Sequence, residues 1–442
     1  MQNRTLFGII VAIGVAVLPG APTRAHTQMS GMSDMAASPF GIPMDRMGSG
    51  TTWIPDAVPV PSTRFMLGKW DFMLHGYAFA QYNKQGGARG DEQLGSLNWG
   101  MLMASHTLAG GRVQARTMLS LDAAGVTDRG YPLLLQSGET YRGKHIVDRQ
   151  HPHDFFMELG VLYERALTGP VGFSLYAAAS GEPALGPVAF MHRPSAIELP
   201  IAPLSHHWQD ATHISFGVLT AGLFTRQWKL EGSVFNGREP DEERWNFDEM
   251  NFDSYSGRLT YNPTVQWSFS AGHGFLKSPE AMHPDESMHR TTAAALHSIK
   301  FGDNAEVASS LVWGANSGHG GPGITHSILA ESRFSWNSRN TVFGRAERVQ
   351  KSGSELQVES DHDGTSDRLF DVSSISAGYL RDFIVFGGVT VGIGGMGTLN
   401  VLPAALENAY GSRTPKGGLV FLRLRPTGNM GGMHDMEGMK HE

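Results

Sequence analysis

Trp228-Lys229-Leu230-Glu231-Gly232-Ser233-Val234 decides how this chain is read. Trp228, Leu230, Gly232 and Val234 fall on one side of a period-two repeat, and Lys229, Glu231 and Ser233 on the other, so the segment is a strand with one apolar or small face and one polar face. The same pattern recurs. Tyr255, Gly257, Leu259 and Tyr261 oppose Ser254, Ser256, Arg258 and Thr260, and Val307, Ser309, Leu311 and Trp313 oppose Glu306, Ala308 and Ser310.

Working outward, alternating segments fall at 70–82, 94–107, 112–122, 155–167, 171–180, 212–222, 226–236, 253–262, 265–275, 290–301, 305–314, 324–336, 340–349, 371–381, 384–395 and 416–425. The gaps between them alternate. Those such as Thr168-Gly169-Pro170, Asn262-Pro263 and Gly302-Asp303-Asn304 have two to four residues, and the others nine to thirty-two. Tight turns on one side and long loops on the other are the rule of an outer-membrane barrel, where lipid forbids open sheet edges. The expected fold is therefore all-β, a transmembrane antiparallel β-barrel of about sixteen strands over residues 66–426, anchored in outer-membrane lipid with both termini in the periplasm. Trp70, Trp228, Trp267 and Trp336 lie at strand ends beside the short turns or the N-terminus, the position of a periplasmic aromatic girdle. The non-lipid face is expected to carry Met73, His75, His106, Glu158, Glu164, His213, Arg258, Glu331, Arg333, Arg345 and Glu347. Gly387-Gly388, Gly392 and Gly394-Gly395 are read as lying within strands, where small residues ease curvature.

Composition agrees. The 442 residues are 40% hydrophobic and 17% charged, with 55 Gly and a net charge of −7. After residue 20 no run approaches the ~18 apolar residues of a helical span, and the acidic balance argues against nucleic acid. Without Cys there is no disulfide, thiolate metal site or cysteine nucleophile. Residues 1–25 read as an export signal: Arg4, an apolar run from Leu6 to Leu18, then Pro19, Gly20 and a cleavage site at Ala25.

The ends of the mature chain have an unusual composition. A flexible tail over 26–65 holds Met29, Met32, Met35, Met44 and Met47, and a C-terminal tail over 427–442 holds Met430, Met433, Met436 and Met439 with His434 and His441. The intervening Gly, Ser, Asp and Glu cannot bury these methionines. Thioethers are soft, proton-independent ligands suited to Cu(I) and Ag(I), so both tails are candidate metal binders. A bland Gly-rich tail or a short helix with Met on one face would give the same spacing.

A second group of candidates lies in the long connections 123–154 and 181–211. His145, His151 and His153 stand in the first, His192, His206 and His207 in the second, and His213 at the start of the next segment. In an extended chain the His151-Pro152-His153 spacing puts both rings on one face, fit for an ion, with Asp154 behind. The alternative is a hydrogen-bonded cluster that pins an inward-folded loop through Asp148, Glu182, Asp210 or Glu198. Ser205-His206 and Ser195 near His192 do not make a hydrolase site, since no third group orients the pair. The expectation is a non-enzymatic protein.

The export signal, Met-rich tails and barrel pattern together resemble the copper-resistance B-type outer-membrane proteins. That resemblance implies binding of copper or silver in the periplasm, a part in metal resistance or export, and periplasmic copper carriers or exporters as partners. The C-terminal Met430–Met439 repeat departs from that family, whose Met-rich segment is usually N-terminal. Asp148-Arg149-Gln150-His151-Pro152-His153-Asp154-Phe155 and Ser205-His206-His207-Trp208 are more similar to uncharacterised barrels of metal-resistance regions. The reading of different class is a general solute porin or structural barrel whose methionines are incidental.

Overall fold

The computed structural model describes residues 38–318, 323–358, 368–385 and 388–427. Among these residues nineteen strands are present: β1 Ser62–Leu67, β2 Trp70–Gln85, β3 Glu92–Leu108, β4 Gly111–Leu119, β5 Tyr131–Tyr141, β6 Lys144–Gln150, β7 Phe156–Ala166, β8 Gly172–Gly181, β9 Ser215–Phe224, β10 Trp228–Phe235, β11 Ser254–Thr264, β12 Trp267–Lys277, β13 Ser287–Phe301, β14 Ala305–Ser317, β15 Ile324–Trp336, β16 Asn340–Ser352, β17 Leu369–Val385, β18 Val389–Val401 and β19 Lys416–Pro426. Sixteen of them close a barrel. From β2 the order runs through β3, β4 and β7 to β19, each strand antiparallel to the next, and β19 returns to β2 through pairs from Gly417↔Gln85 to Leu424↔Ala78. Each of these sixteen strands thus has a partner on both sides, as hydrocarbon requires.

All sixteen expected strands form, and four features depart from expectation. The turn between β17 and β18 falls after Val385, later than expected, so Gly388 stands at the turn with φ +81 and not inside a strand. The long 120–155 connection contains a hairpin, β5–β6, and β1 adds a short strand paired with the first half of β2 from Ser62↔His75 to Leu67↔Trp70. Residues 38–61, expected in a flexible tail, are packed within the barrel, with Ile42, Met44, Met47, Trp53 and Ile54 buried.

The outer surface is apolar: Leu94, Leu230, Val420 and Leu422 are exposed, an arrangement that suits lipid and not water. Near the short turns Trp228 stacks on Tyr261 at 3.8 Å, Trp267 on Phe269 at 5.3 Å and Trp336 on Phe334 at 5.5 Å, forming the expected girdle. The inner face carries the charges. Lys229, Glu231, Arg258, Glu331 and Arg345 are all buried there. Two of the expected inward residues lie elsewhere. His106 shares the face of Leu102, outward, beside Trp70 at 5.0 Å, because the inward positions of β3 are Met101, Met103 and Ser105. His213 lies in a 3-10 turn before β9.

Inside the barrel, irregular backbone takes the place that water would fill in an open pore. Residues Gly181 to Val218 are buried without interruption. Such a segment needs partners for its peptide groups, and the wall supplies them. Arg333 Nε donates to Pro194 O at 2.5 Å, Arg345 Nη1 to Ile201 O at 3.1 Å, and Arg290 Nη2 to His207 O at 2.6 Å. The N-terminal segment is held in the same way: Arg116 Nη2 reaches Gly48 O at 2.9 Å, Asn262 Nδ2 reaches Ile54 O at 3.0 Å, and Lys229 donates to Thr51 O.

Candidate functional site

Two side-chain groups sit where the 182–214 segment meets the wall. The first is a histidine cluster. Helix α2, after α1 at Asp122–Val126, spans His206–Gln209 and presents His206 and His207; the turn Ala211–His213 presents His213, and the chain after β6 presents His151 and His153. Their rings form a chain: His153 to His213 at 5.3 Å, His213 to His206 at 5.1 Å, His206 to His207 at 5.2 Å and His207 to His151 at 5.8 Å between centroids. Residues far apart in sequence are therefore brought together.

Each ring meets an oxygen through one nitrogen, and Nδ1 of His151 also lies 3.1 Å from the Gln150 amide nitrogen. Nδ1 of His206 lies 2.7 Å from Asp210 Oδ1, Nδ1 of His153 lies 2.7 Å from Asp122 Oδ2, and Nδ1 of His213 lies 2.8 Å from Asp210 O. Nδ1 of His207 meets Glu239 at 3.3 Å, and Nε2 of His151 meets Glu139 at 2.9 Å. Because these oxygens only accept, the facing nitrogens carry the hydrogen. Nε2 of both His207 and His213 is buried without a hydrogen-bond partner among the described residues. The Gly138 α-carbon, at φ +112, lies under the His207 ring, and a Cβ there would come within 2.6 Å of it, so only glycine seats this ring.

Burial dominates the protonation of the cluster. It lowers the pKa of His151, His206 and His213, with neighbouring cations or histidines adding to the effect. Burial also works against a charged His207, but the Glu239 carboxylate overcomes it and raises that pKa. Asp210 is pulled low against its own burial by Arg193, His206 and His213. Burial pushes Glu182, beside Arg258, up to about 8. Among the described residues no group of three or more His, Asp or Glu side chains is arranged to hold a metal ion. The histidines are gathered, but as a hydrogen-bonded chain of rings and not as a closed ligand shell.

The second group combines His192 with the wall. His192 Nε2 lies 3.2 Å from Met118 Sδ, and its ring is 4.4 Å from Trp99 and 5.4 Å from His75. Met73, Met101, Met103, Met118 and Met157 are all buried in one apolar cluster. Met73 and His75 stood out in the sequence as inward-facing; Trp99, Met101, Met103, Met118 and Met157 did not. Their signal was the spacing Trp99, Met101, Met103 on one face of β3.

The remaining candidates are dispersed. His145 lies on β6, 5.8 Å from His283. Met44 packs in the apolar cluster with Met73, and Met47 packs with Trp53, Leu162 and Tyr176; neither is on a free tail, since each is needed to fill space inside the barrel. Met29, Met32, Met35, Met430, Met433, His434, Met436, Met439 and His441 lie outside the described residues. Ser205 Oγ donates to Glu347 and Gln209, and Ser195 Oγ pairs with Ser310 and Glu331, so neither serine makes the histidine pair of a hydrolase.

With the closed barrel in view, solved structures give the comparison. The fold is that of the outer-membrane porins. Salmonella typhi OmpF, solved in complex with daunomycin, matches over 82% of this chain and 100% of its own, at a TM-score of 0.50 and 8% identity. The high-pH structure of Pseudomonas putida OprB matches over 81% of this chain and 94% of its own, at a TM-score of 0.50 and 10% identity. Likeness at such identity is a likeness of fold alone. No protein-family model matches the chain, and no curated protein is similar to it in sequence. The resemblance to copper-resistance B-type proteins thus stays at the level of composition, while the outer-membrane barrel stands on structure.

Proposed function

We propose that this chain is a non-enzymatic outer-membrane channel of the porin class, exported by residues 1–25 and held closed by its own in-folded segments. The observation that carries the reading is the buried ionic contact between plug and wall. Arg193 of the plug meets Asp210 at 2.8 Å and Glu331 of β15 at 2.6 Å, and Glu331 also takes Arg345 at 3.0 Å. Glu198 of the plug pairs with Arg423 of β19. A lumen lined with charge is the lining of an aqueous path, and here part of that charge is spent on holding the plug. The test is conductance in planar bilayers. The natural chain should give small or rare steps, and replacing 186–204 with a short Gly-Ser linker should give large, steady ones; equal conductance in both would overturn the reading.

A second reading is soft-metal handling, in which Cu(I) or Ag(I) is captured by the Met29–Met35 and Met430–Met439 repeats and received from periplasmic copper carriers or exporters. What favours it beyond composition is the buried Met and His group at His192. Its test is a Cu(I) titration under reducing conditions against a chromogenic competitor. Replacing the tail methionines by leucine should abolish the tight sites that the tails supply; unchanged binding would remove the tails from the account.

A further inference from the structure

Three adjacent wall strands place His75, Met101 and Met118 in one cross-strand row. His75 pairs with Met101 and Met101 with Met118, and the row above or below pairs Met73 with Met103. Directly opposed residues in a sheet have Cβ atoms about 4.5–5.5 Å apart, so one small ion can touch side chains from neighbouring strands. From the plug, His192 closes this row: its Nε2 is 3.2 Å from Met118 Sδ, and its ring stands 5.4 Å from that of His75. His75 is 3% exposed, and its Nε2 is buried with no hydrogen-bond partner among the described residues. A buried polar atom left unpaired is costly, and here it sits among soft donors.

We propose that His75, Met101, Met118 and His192 form a site inside the barrel for a monovalent soft cation, Ag(I) or Cu(I), bridging plug and wall. The donors decide the class of ion. Thioether and imidazole are neutral and soft, which suits a singly charged soft ion and leaves a divalent ion uncompensated in a buried setting. The nearby Arg116 is already paired, with Glu158 at 2.6 Å, and so does not repel as a free cation. The Trp99 ring packs beside the site, 4.4 Å from the His192 ring. The site extends the soft-metal reading but uses none of the tail methionines, so the two stand or fall separately.

The test uses Ag(I), which needs no reductant, on the full mature chain in chloride-free buffer. Equilibrium dialysis is run on the natural chain, on M101L/M118L, and on a variant with Met29, Met32, Met35, Met430, Met433, Met436 and Met439 changed to leucine. Met and Leu have similar volume, so the barrel variant keeps its packing, and heat-modifiable migration on gels checks that it folds. The expected result is a loss of one tightly bound Ag(I) per chain in M101L/M118L, with one retained in the tail variant. Unchanged tight binding in M101L/M118L would overturn the proposal, even if the tail variant lost every ion, a result that would leave the tail reading standing. If M101L/M118L does not fold, silver anomalous diffraction on the natural chain decides: a peak within bonding distance of His192 Nε2 and Met118 Sδ supports the site, and its absence overturns it.

Discussion

Arg193 carries a buried ionic contact between the in-folded segment and the wall. Its guanidinium is fully buried between Asp210 and Glu331. Removing one member of a buried pair leaves a carboxylate uncompensated, at a cost of about 3–5 kcal/mol. Arg193→Ala is therefore expected to loosen the plug and not the barrel: conductance should rise severalfold while heat-modifiable migration persists, and unchanged conductance would show that this contact does not hold the plug. Protonation acts at the same scale. His151, His192, His206 and His213 have pKa values lowered by burial, so they are neutral when docked, whereas an undocked ring protonates near its ordinary 6.5. The docked state then binds fewer protons, and its stability is complete above pH 6.5 and is lost as pH falls below it. His207 has the opposite sign, its pair with Glu239 favouring the docked state below 6.5, but it is one residue against four. Open probability in bilayers should rise between about pH 6.5 and 5, and a flat profile would count against the histidine chain as a latch.

At the scale of elements, the plug and the wall can be tied together. Ser195 Oγ lies 2.6 Å from Ser310 Oγ of β14 across the interface, and the chain has no native cysteine to interfere. The double variant Ser195→Cys/Ser310→Cys is expected to form a disulfide under oxidation, suppress opening, and recover on reduction; opening that ignores the reductant would mean the plug opens without leaving β14. The strands were legible because each exposes one face to lipid and one to the lumen, which writes period two into the chain. Strands β5 and β6 were not legible. Both faces of β5 are buried, and Leu135 and Glu139 sit at φ +69 and +59, so no alternation survives over Tyr131–Tyr141. Turn chemistry misled at Gly388, where flanking apolar residues continued the strand pattern past the glycine.

For the molecule as a whole, the barrel wall and its contents answer to different solvents. Leu422, exposed on the lipid side near the middle of β19, should tolerate no charge: Leu422→Arg is expected to cost about 2–4 kcal/mol in equilibrium folding into liposomes, as for a barrel midplane position. A smaller change would mean that Leu422 lies near the interface. What the amino-acid sequence determined by itself was the wall: sixteen alternating segments, a girdle and the rhythm of turns, since these depend on local periodicity and on which side of each strand meets hydrocarbon. It also singled out the loop histidines, whose composition was visible without their placement. Only the tertiary structure decided that residues 38–61 and 182–214 fill the lumen, that five histidines join in one chain of rings, and that Met101 and Met118 stand beside His75 under His192. The physical reason is that such neighbours come from strand register and from long-range pairing of buried backbone and charge, neither of which leaves a periodic mark along the chain.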